Sequence, residues 1–155
     1  MIVTERVTST APLTVRRRVR FGECDPAGVA YTVRFSEYVV SAMDLFFQEL
    51  LGGPFADRFP GVDTPIKALS FVFSAPLRPN DEFDMVVTVG EIREHTFDLH
   101  IAAALADGTA TFTATLTPIC IAAADRRRVA IPPLVRTVLE NHQRTGTTNG
   151  SSLPH

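Results

Sequence analysis

A turn that carries a carboxylate lies between two segments of different hydrophobic periodicity. The stretch FGECDPAGVAY, residues 21–31, places Asp25 before Pro26, with Glu23 and Cys24 directly ahead of it. In hydrolysis, a positioned carboxylate acts as a nucleophile or as a general base that takes a proton from water. The same residue type also serves as a plain turn residue whose side chain accepts backbone N–H groups. For an isolated Asp-Pro, the turn interpretation is favoured.

The neighbours of Asp25 are interpreted as structural. Pro26 restricts the backbone by fixing its φ angle, and Gly28 permits a turn that a side chain would oppose. We predict that Glu23 is a solvated acid of the loop. Cys24 has no histidine nearby in the sequence to activate its thiol, so we expect a buried small residue rather than a nucleophile.

No other pattern in the sequence indicates a catalytic or cofactor site. The sequence lacks metal-ligand spacing, glycine-rich phosphate loops and the G-x-S-x-G motif of serine hydrolases. We therefore expect no metal ion and no cofactor other than a coenzyme carried by the substrate. Four histidines lie outside the loop and outside the helix that follows it: His95, His100, His142 and His155.

The composition is that of a soluble domain with one core. The chain has 155 residues, 45% of them apolar, which is enough to bury a core without disulfides or metals. A net charge of -2 gives no support for a nucleic-acid or membrane partner. Two cysteines form no disulfide framework, and the sequence has neither a signal core nor an apolar run of membrane-spanning length. We expect a cytoplasmic protein.

Residues 14–21 predict a half-buried strand before the loop. Val15, Val19 and Phe21 fall on one face of the alternating pattern. Arginines occupy the other face, which is typical of a solvated strand face rather than of an RNA-binding ladder in an acidic chain. Arg17 is a charged exception on the apolar face.

Residues 33–51 predict a long buried helix after the loop. Apolar side chains recur there at three and four residues and form a wide stripe. Gly52-Gly53-Pro54 then ends the pattern, since glycine and proline stop helices. The helix is so apolar that one flat sheet would cover only part of it. We therefore expect a sheet that curls around the helix and a second copy of the chain that covers the rest.

Strand patterns follow the helix after a loop. The links between them are short enough for hairpins, which favours antiparallel pairing. Pro118 is unable to donate a hydrogen bond to a neighbouring strand, so it marks a bulge or an edge. The predicted strands are residues 66–76, 82–92, 96–106 and 109–123, and the links are 78–81, 93–95 and 107–108.

The two ends of the chain are predicted to lie outside the core. Residues 1–13 are polar and rich in threonine, so we expect a loose lead-in. A short helix is predicted at 131–143, followed by a flexible tail at 144–155. Since the sequence has no internal repeat, residues 1–155 are predicted to form one domain with its core at about 14–143.

The order of elements and the loop motif resemble those of hotdog-fold acyl-CoA thioesterases, most closely the 4-hydroxybenzoyl-CoA thioesterase-like family. The family motif reads Phe-Gly-Asp-Cys-Asp-Pro-Ala-Gly and then Ile or Val. Residues 21–29 match it, except that Glu23 replaces the first family aspartate. A second match is TPIKALSFVF, residues 64–73, which resembles the segment that enters the strand after the helix.

The resemblance, which covers approximately residues 14–130, implies a fold and an activity. The fold is an α+β hotdog fold, in which a five-stranded antiparallel sheet wraps around one long helix. The activity is that of an acyl-CoA thioesterase acting on an aryl or short-to-medium-chain acyl thioester of CoA or of a carrier protein. Family members form homodimers or homotetramers, with active sites shared between two chains.

The family motif also implies catalytic roles for single residues. Asp25 matches the catalytic carboxylate, which acts as nucleophile or general base. Thr32 matches the position whose backbone N–H polarises the thioester carbonyl. Tyr31, Phe35 and Val40 are assigned to the acyl pocket.

Two departures from the family pattern concern the substrate. Relatives carry an acid at the position of Val40, and an apolar side chain cannot accept a hydrogen bond from a hydroxylated acyl group. At the turn that supplies cations for CoA, this chain has Arg93-Glu94-His95 in place of three basic residues. Arg93 is the candidate for the CoA phosphates, but an exposed hairpin arginine fits the sequence as well, and the alternative cations are residues 126–128.

Two other functions remain open on the sequence alone. A non-catalytic module would keep the fold and bind an acyl thioester without turnover. A hotdog hydratase or dehydratase would need a histidine in the site, and none of the four histidines lies in the loop or on the long helix. Hydrolysis is the favoured activity.

Overall fold

The computed structural model describes residues 4–148. Its elements follow the chain in this order: β1 (Glu5–Thr10), β2 (Leu13–Arg18), a 3₁₀ turn (Phe21–Glu23), α1 (Arg34–Leu51), α2 (Phe55–Arg58), β3 (Val62–Asp63), β4 (Ile66–Phe73), β5 (Glu82–Ile92), β6 (Phe97–Leu105), β7 (Ala110–Pro118), β8 (Ile121–Ala122) and α3 (Pro133–Thr148).

Helix α1 forms because its apolar side chains recur with the helical period and become buried together. It ends at Gly52, whose φ of 75° lies in the left-handed region that glycine adopts without steric cost. The predicted helix and its stop are confirmed. The buried residues of α1 are Phe35, Tyr38, Val39, Ala42, Met43, Phe46, Phe47 and Leu51.

Six strands form one antiparallel sheet in the order β1-β2-β5-β6-β7-β4. Side chains alternate between the two faces of each strand, so that Phe83, Met85 and Val87 of β5 are buried while their neighbours are less so. These buried side chains join those of α1 in one core. A long helix against a curled antiparallel sheet is the hotdog arrangement that the resemblance implies.

The sheet has one strand more than expected. The resemblance implied five strands, and residues 1–13 were predicted to be a loose lead-in, but β1 pairs with β2 along its length. Its sequence, ERVTST, is almost entirely polar, and its residues are half-buried or exposed. A strand at the edge of a sheet needs little apolar surface, so its composition gave no signal.

The segment between β4 and β5 is not a hairpin, which corrects the prediction for the link at 78–81. Strand β4 pairs with β7, whereas β5 pairs with β2 and β6. The segment instead crosses to the end of β2, where Asn80 N donates to Val19 O at 2.9 Å and Val19 N donates to Asp81 O at 2.9 Å. Leu77 of this crossing segment is completely buried. The links after β5 and β6 join paired strands as predicted.

Two residues near the end of β2 differ from the sequence prediction. Phe21 was placed on the apolar face, but β2 ends at Arg18, and the Phe21 side chain lies in the 3₁₀ turn with 84% of its surface exposed. Arg17 does lie on the buried face. It is tolerated there because the carboxylates of Glu5 and Glu23 lie 3.2 Å and 2.7 Å from its guanidinium nitrogens.

The C-terminal part of the fold contains a longer helix than predicted. Helix α3 extends to Thr148 and so includes the first residues of the segment 144–155, while 149–155 lie outside the described residues. His142 of α3 is buried against Phe46, with ring centroids 5.1 Å apart. Pro118 is the last residue of β7, next to an irregular register in β4, in agreement with the predicted bulge or edge.

Candidate active site

The loop that carries Asp25 is a tight hairpin. Asp25 N donates to Val29 O at 2.9 Å, Gly28 N donates to Asp25 O at 2.9 Å, and Cys24 forms a β-bridge with Ala30. Gly28 has a φ of 80°, a conformation that residues with a side chain rarely adopt. The motif therefore folds the chain back on itself and presents Asp25 near the tip.

The Asp25 carboxylate uses one oxygen to stabilise the turn. Its Oδ1 accepts a hydrogen bond from Ala27 N at 2.9 Å, as a turn aspartate does. Within residues 4–148, its Oδ2 has no hydrogen-bond partner. The half-buried side chain lines a cleft of about 280 Å³ together with Tyr31 and Arg34. Asp25 thus does act as a turn residue through Oδ1, and within residues 4–148 no donor occupies Oδ2.

The backbone of Thr32 lies at the start of α1. Helix α1 begins at Arg34, and in the described part of the chain the N–H of Thr32 donates to no acceptor. Thr32 directly precedes the N-cap residue Val33, so its N–H lies just outside the first turn of α1, close to the positive end of the helix dipole. Thr32 lines a cleft of about 310 Å³ with Phe35, Phe73 and the crossing segment at 74–76.

The predicted residues are not all brought into one cavity. Asp25 and Tyr31 line one cleft, and Thr32 and Phe35 line another. Val40 is half-buried further along α1 and lines neither of these two clefts. The single chain therefore presents the acid and the backbone donor in two separate clefts, which the consecutive residues Tyr31 and Thr32 line.

Glu23 is buried, which corrects its prediction as a solvated acid. Only 5% of its surface is exposed, and its carboxylate accepts hydrogen bonds from Arg17 Nη2 at 2.7 Å, Arg20 N at 2.7 Å and Tyr38 Oη at 3.2 Å. The sequence did not reveal the burial of Glu23, because its side-chain partners Arg17 and Tyr38 lie on β2 and α1. The one available signal was Arg17 on an apolar strand face, since a buried cation requires an anion.

Cys24 is half-buried beside this network. Burial raises the pKa of its thiol, and the carboxylates of Glu23 and Asp25 raise it further. A raised pKa disfavours the thiolate, which is the nucleophilic form. The chemistry agrees with the prediction that Cys24 is not the nucleophile.

Arg93 is already paired with carboxylates. Its guanidinium lies 2.9 Å from Asp98 and 2.9 Å from Glu91, and the hydrogen bond to Asp98 raises its pKa. It lines a small cleft of about 200 Å³ in which Lys67 and Arg128 supply two further cations. In the described chain, neither of these two side chains has a hydrogen-bond or ion-pair partner. Arg128 is one of the alternative cations that the sequence analysis named, whereas Lys67 was not selected.

A further cleft lies towards the other end of α1. It measures about 450 Å³ and is lined by residues of α1, α2 and β3, including Asp44, Phe47 and Phe55. Burial, followed by the nearby charge of Glu5, raises the pKa of Asp44. Asp44 lies one turn beyond Val40, so this acid does not occupy the family position on the helix.

The described part of the chain, residues 4–148, contains no group of three or more His, Cys, Asp and Glu side chains that could hold a metal ion. None of its helices is both long and apolar enough to span a membrane. No histidine of this part lines the clefts beside Asp25 and Thr32.

The sequence and the fold match known proteins. Residues 19–139 match the family described as the Thioesterase-like superfamily. The fold is similar to that of a 1,4-dihydroxy-2-naphthoyl-CoA thioesterase from Synechocystis, with 21% identity, a TM-score of 0.76, and coverage of 83% of this chain and 95% of that one. No curated protein matches the sequence at a significant level.

Two further solved structures have the same fold. A gentisyl-coenzyme A thioesterase is 22% identical with a TM-score of 0.73, and the match covers 81% of this chain and 98% of that one. A thioesterase superfamily protein from Jannaschia sp. CCS1 is 21% identical with a TM-score of 0.77, and covers 92% and 98%. The family match, together with the hotdog arrangement of helix α1 against the antiparallel sheet, identifies a thioester hydrolase. The chain belongs to the Thioesterase-like superfamily.

Changing Gly28 to alanine tests the hairpin geometry. An added Cβ would meet no heavy atom within 4 Å, so the penalty comes only from the φ of 80°. We expect the Gly28→Ala variant to lose about 1–2 kcal/mol of unfolding free energy in urea titrations. Gly22→Ala is the matched control, since its added Cβ also meets open space and its φ is not positive. Equal stability of the two variants would contradict the geometry described for the hairpin.

Proposed function

We propose that this protein hydrolyses an aryl or short-to-medium-chain acyl thioester of CoA, with Asp25 as the catalytic carboxylate and the backbone N–H of Thr32 as the donor to the carbonyl. The observation that carries the proposal is that two groups without a hydrogen-bond partner in residues 4–148 lie in clefts lined by the consecutive residues Tyr31 and Thr32. One is Oδ2 of Asp25, and the other is the N–H of Thr32 at the start of α1.

The proposed reaction needs a carboxylate near the thioester carbon and a hydrogen-bond donor near the carbonyl oxygen. Asp25 either attacks the thioester carbon, forming an anhydride that water then opens, or removes a proton from the water that attacks it. In both cases the carbonyl oxygen becomes negative. The N–H of Thr32 and the positive end of α1 stabilise that charge, and the tetrahedral species then expels the CoA thiolate.

An apolar surface beside the two clefts suits an aromatic or aliphatic acyl group. Phe35 is buried and packs edge-on against Phe73 with ring centroids 4.9 Å apart, while Tyr31 is half exposed beside Asp25. Val40 adds an apolar side chain on the same helix. The similar proteins named for 1,4-dihydroxy-2-naphthoyl-CoA and gentisyl-CoA support an aryl thioester as the first substrate to test.

The cleft with Lys67, Arg93 and Arg128 is proposed to hold the phosphates of CoA. Within residues 4–148, Lys67 and Arg128 form no ion pair, although Glu94 lines the same cleft, whereas Arg93 is paired with Asp98 and Glu91. A phosphate attracts cations whose charge is not already compensated. Arg93 then contributes less to CoA binding than its two neighbours.

A second copy of the chain is proposed to complete the site, as a homodimer that can pair further into a homotetramer. Strand β4 is an edge of the sheet and exposes Val72 (65%), Phe73 (48%) and Leu69 (39%). If two β4 strands pair antiparallel about a twofold axis, the Phe73 end of one copy lies opposite the Lys67 end of the other. The cleft beside Thr32 would then face the basic cleft of the second copy.

Changing Asp25 to asparagine tests the catalytic role. Asparagine keeps an oxygen for the bond from Ala27 N but has no negative charge, so folding should survive while hydrolysis falls by at least ~10²-fold. Thiol release from a panel of acyl-CoA substrates measures the rate, and calorimetry measures retained binding. A plain turn residue would give near-normal rates and only a small change in melting temperature.

Single-turnover hydrolysis in ¹⁸O-water separates the two catalytic roles. Label in the Asp25 carboxylate would indicate attack by Asp25 and an anhydride, whereas label only in the released acid would indicate water delivered by a general base. If Asp25→Asn hydrolyses every substrate as fast as the parent, the proposed site is wrong.

The basic cleft predicts a change in KM rather than in kcat. We expect Lys67→Ala and Arg128→Ala each to raise KM for an acyl-CoA with little change in kcat, because a phosphate contact is equal in the ground and transition states. Arg93→Ala should raise KM less. A larger effect at Arg93 than at the other two positions would show that its carboxylate partners release it on binding.

If copies of the chain pair through the β4 edge, a charge placed on that edge should abolish both assembly and activity. Val72→Lys places a charge on the exposed edge, so we expect light scattering to show a monomer and the acyl-CoA assay to show little activity. Thr8→Lys on the opposite edge, β1, is the control and should leave both unchanged. A fully active monomer would exclude a shared site.

A further inference from the structure

The hairpin that carries Asp25 is held mainly at its base. Pro26, Ala27 and Gly28 at its tip are exposed. At the base, Tyr31 N donates to Glu23 O at 2.9 Å, and Ala30 N donates to Leu77 O at 2.7 Å. The orientation of the whole hairpin is therefore determined where residues 23 and 31 meet.

The side chain of Glu23 fixes that base to two other elements, β2 and α1. Its Oε2 binds Arg17 of β2, and its Oε1 accepts from the backbone of Arg20 and from the hydroxyl of Tyr38 on α1. Through its carbonyl, the same residue also holds Tyr31, which directly precedes Thr32. One buried carboxylate thus lies two residues from the proposed acid and fixes the residue before the proposed backbone donor.

Arg17 is in turn fixed from two directions. Its Nη1 donates to Glu5 of β1 at 3.2 Å, and its guanidinium carbon lies 4.9 Å from the centre of the Tyr38 ring. Glu5 also accepts a hydrogen bond from Ser41 of α1 at 2.5 Å. Arg17 Nε is buried and, within residues 4–148, has no partner. The cation therefore depends on its two carboxylates and on the aromatic ring.

We propose that Glu23 and Arg17 are positioning residues of the active site, which orient the Asp25 hairpin and the Thr32 N–H relative to α1. This inference rests on the proposed thioester hydrolysis. A buried ion pair is weak evidence for stability, because desolvating the two charges costs about as much as their attraction returns. We expect the pair to act on geometry instead, because Glu23 joins the hairpin base to Arg17 of β2 and to Tyr38 of α1.

The role predicts a loss of kcat rather than of substrate binding. In Glu23→Gln the amide oxygen still accepts from Arg20 N and Tyr38 Oη, but an NH2 group replaces the oxygen that accepts from Arg17, so that hydrogen bond and the ion pair are lost. We expect kcat to fall about 10-fold with KM nearly unchanged, since a small displacement of reacting groups affects the chemical step strongly. Arg17→Met should give a similar loss, and Tyr38→Phe, which removes one donor, a smaller one.

The double variant shows whether the two residues act as one unit. If either single change releases the hairpin base, Arg17→Met combined with Glu23→Gln should lose no more kcat than the worse single variant. Hydrogen exchange of the Tyr31 amide gives a readout that is independent of activity. Its exchange should accelerate in both single variants, because the bond to the Glu23 carbonyl opens more often.

Two controls separate positioning from general destabilisation. Asp84→Asn removes the ion pair with Arg16, also on β2 but remote from the hairpin, and should leave kcat and Tyr31 exchange as in the parent. Leu139→Ala removes a completely buried side chain of α3 and should lower the melting temperature while kcat below that temperature is retained.

The outcomes distinguish the inference from the proposed function. If the parent hydrolyses thioesters and Asp25→Asn does not, while Glu23→Gln and Arg17→Met keep the parental kcat and Tyr31 exchange, the positioning role is wrong and the catalytic assignment stands. If the parent hydrolyses no acyl thioester but Tyr31 exchange still accelerates in both variants, the proposed function fails and the structural link between Glu23 and the hairpin remains.

Discussion

Helix α1 has to bury side chains around most of its circumference, and the rest of the fold is arranged to meet that requirement. The inner face of the six-stranded sheet covers one side, and α3 adds His142 against Phe46. The N-terminal end of α1 stays accessible, because the chain approaches it through the exposed hairpin rather than through the core. The N–H groups of Arg34 and Phe35 at the start of α1 are bonded to the carbonyls of Tyr31 and Thr32, so the N–H that has no acceptor at this end is that of the exposed Thr32, just before the helix.

A second constraint is the charge of Arg17 inside that core. An apolar residue at this position of β2 would pack without needing any partner, and the cation instead requires nearby anions. Glu5 supplies one from β1 and Glu23 supplies the other from the 3₁₀ turn. The polar first strand and the acidic hairpin are thus joined by one guanidinium, so that two segments of low hydrophobicity acquire fixed positions.

The elements that were predictable from the sequence are those whose own residues repeat with a period. Helix α1 and the strands β5, β6 and β7 were located to within a few residues, because burial imposes periods of 3.6 and 2 on their side chains. Strand β1 has no such pattern. The pairing of β4 with β7 rather than β5 depends on a crossing segment whose backbone bonds to Val19 are invisible in composition.

The candidate site was predictable only in part. The hairpin and Asp25 follow from turn residues and the family motif, whereas the burial of Glu23 depends on partners that lie six residues before it and fifteen residues after it. For Arg93 the error has the opposite sign: the sequence suggested a cation available to CoA, but Glu91 and Asp98 on the same hairpin form ion pairs with it. Strand pairing determines which charged side chains come into contact, and the identity of a single residue does not reveal that pairing.

The two edges of the sheet differ in a way that limits how many copies could join. Strand β1 is short, carries Glu5 and Arg6, and has an irregular register between Val7 and Ser9, all features that discourage a further strand from adding. Strand β4 has eight residues and an apolar surface. A chain with two receptive edges would extend into an open-ended fibre, whereas pairing through a single receptive edge uses it up in both copies and stops. Strand β1, which sequence patterns failed to reveal, would thus prevent further copies from extending the sheet beyond the proposed pair.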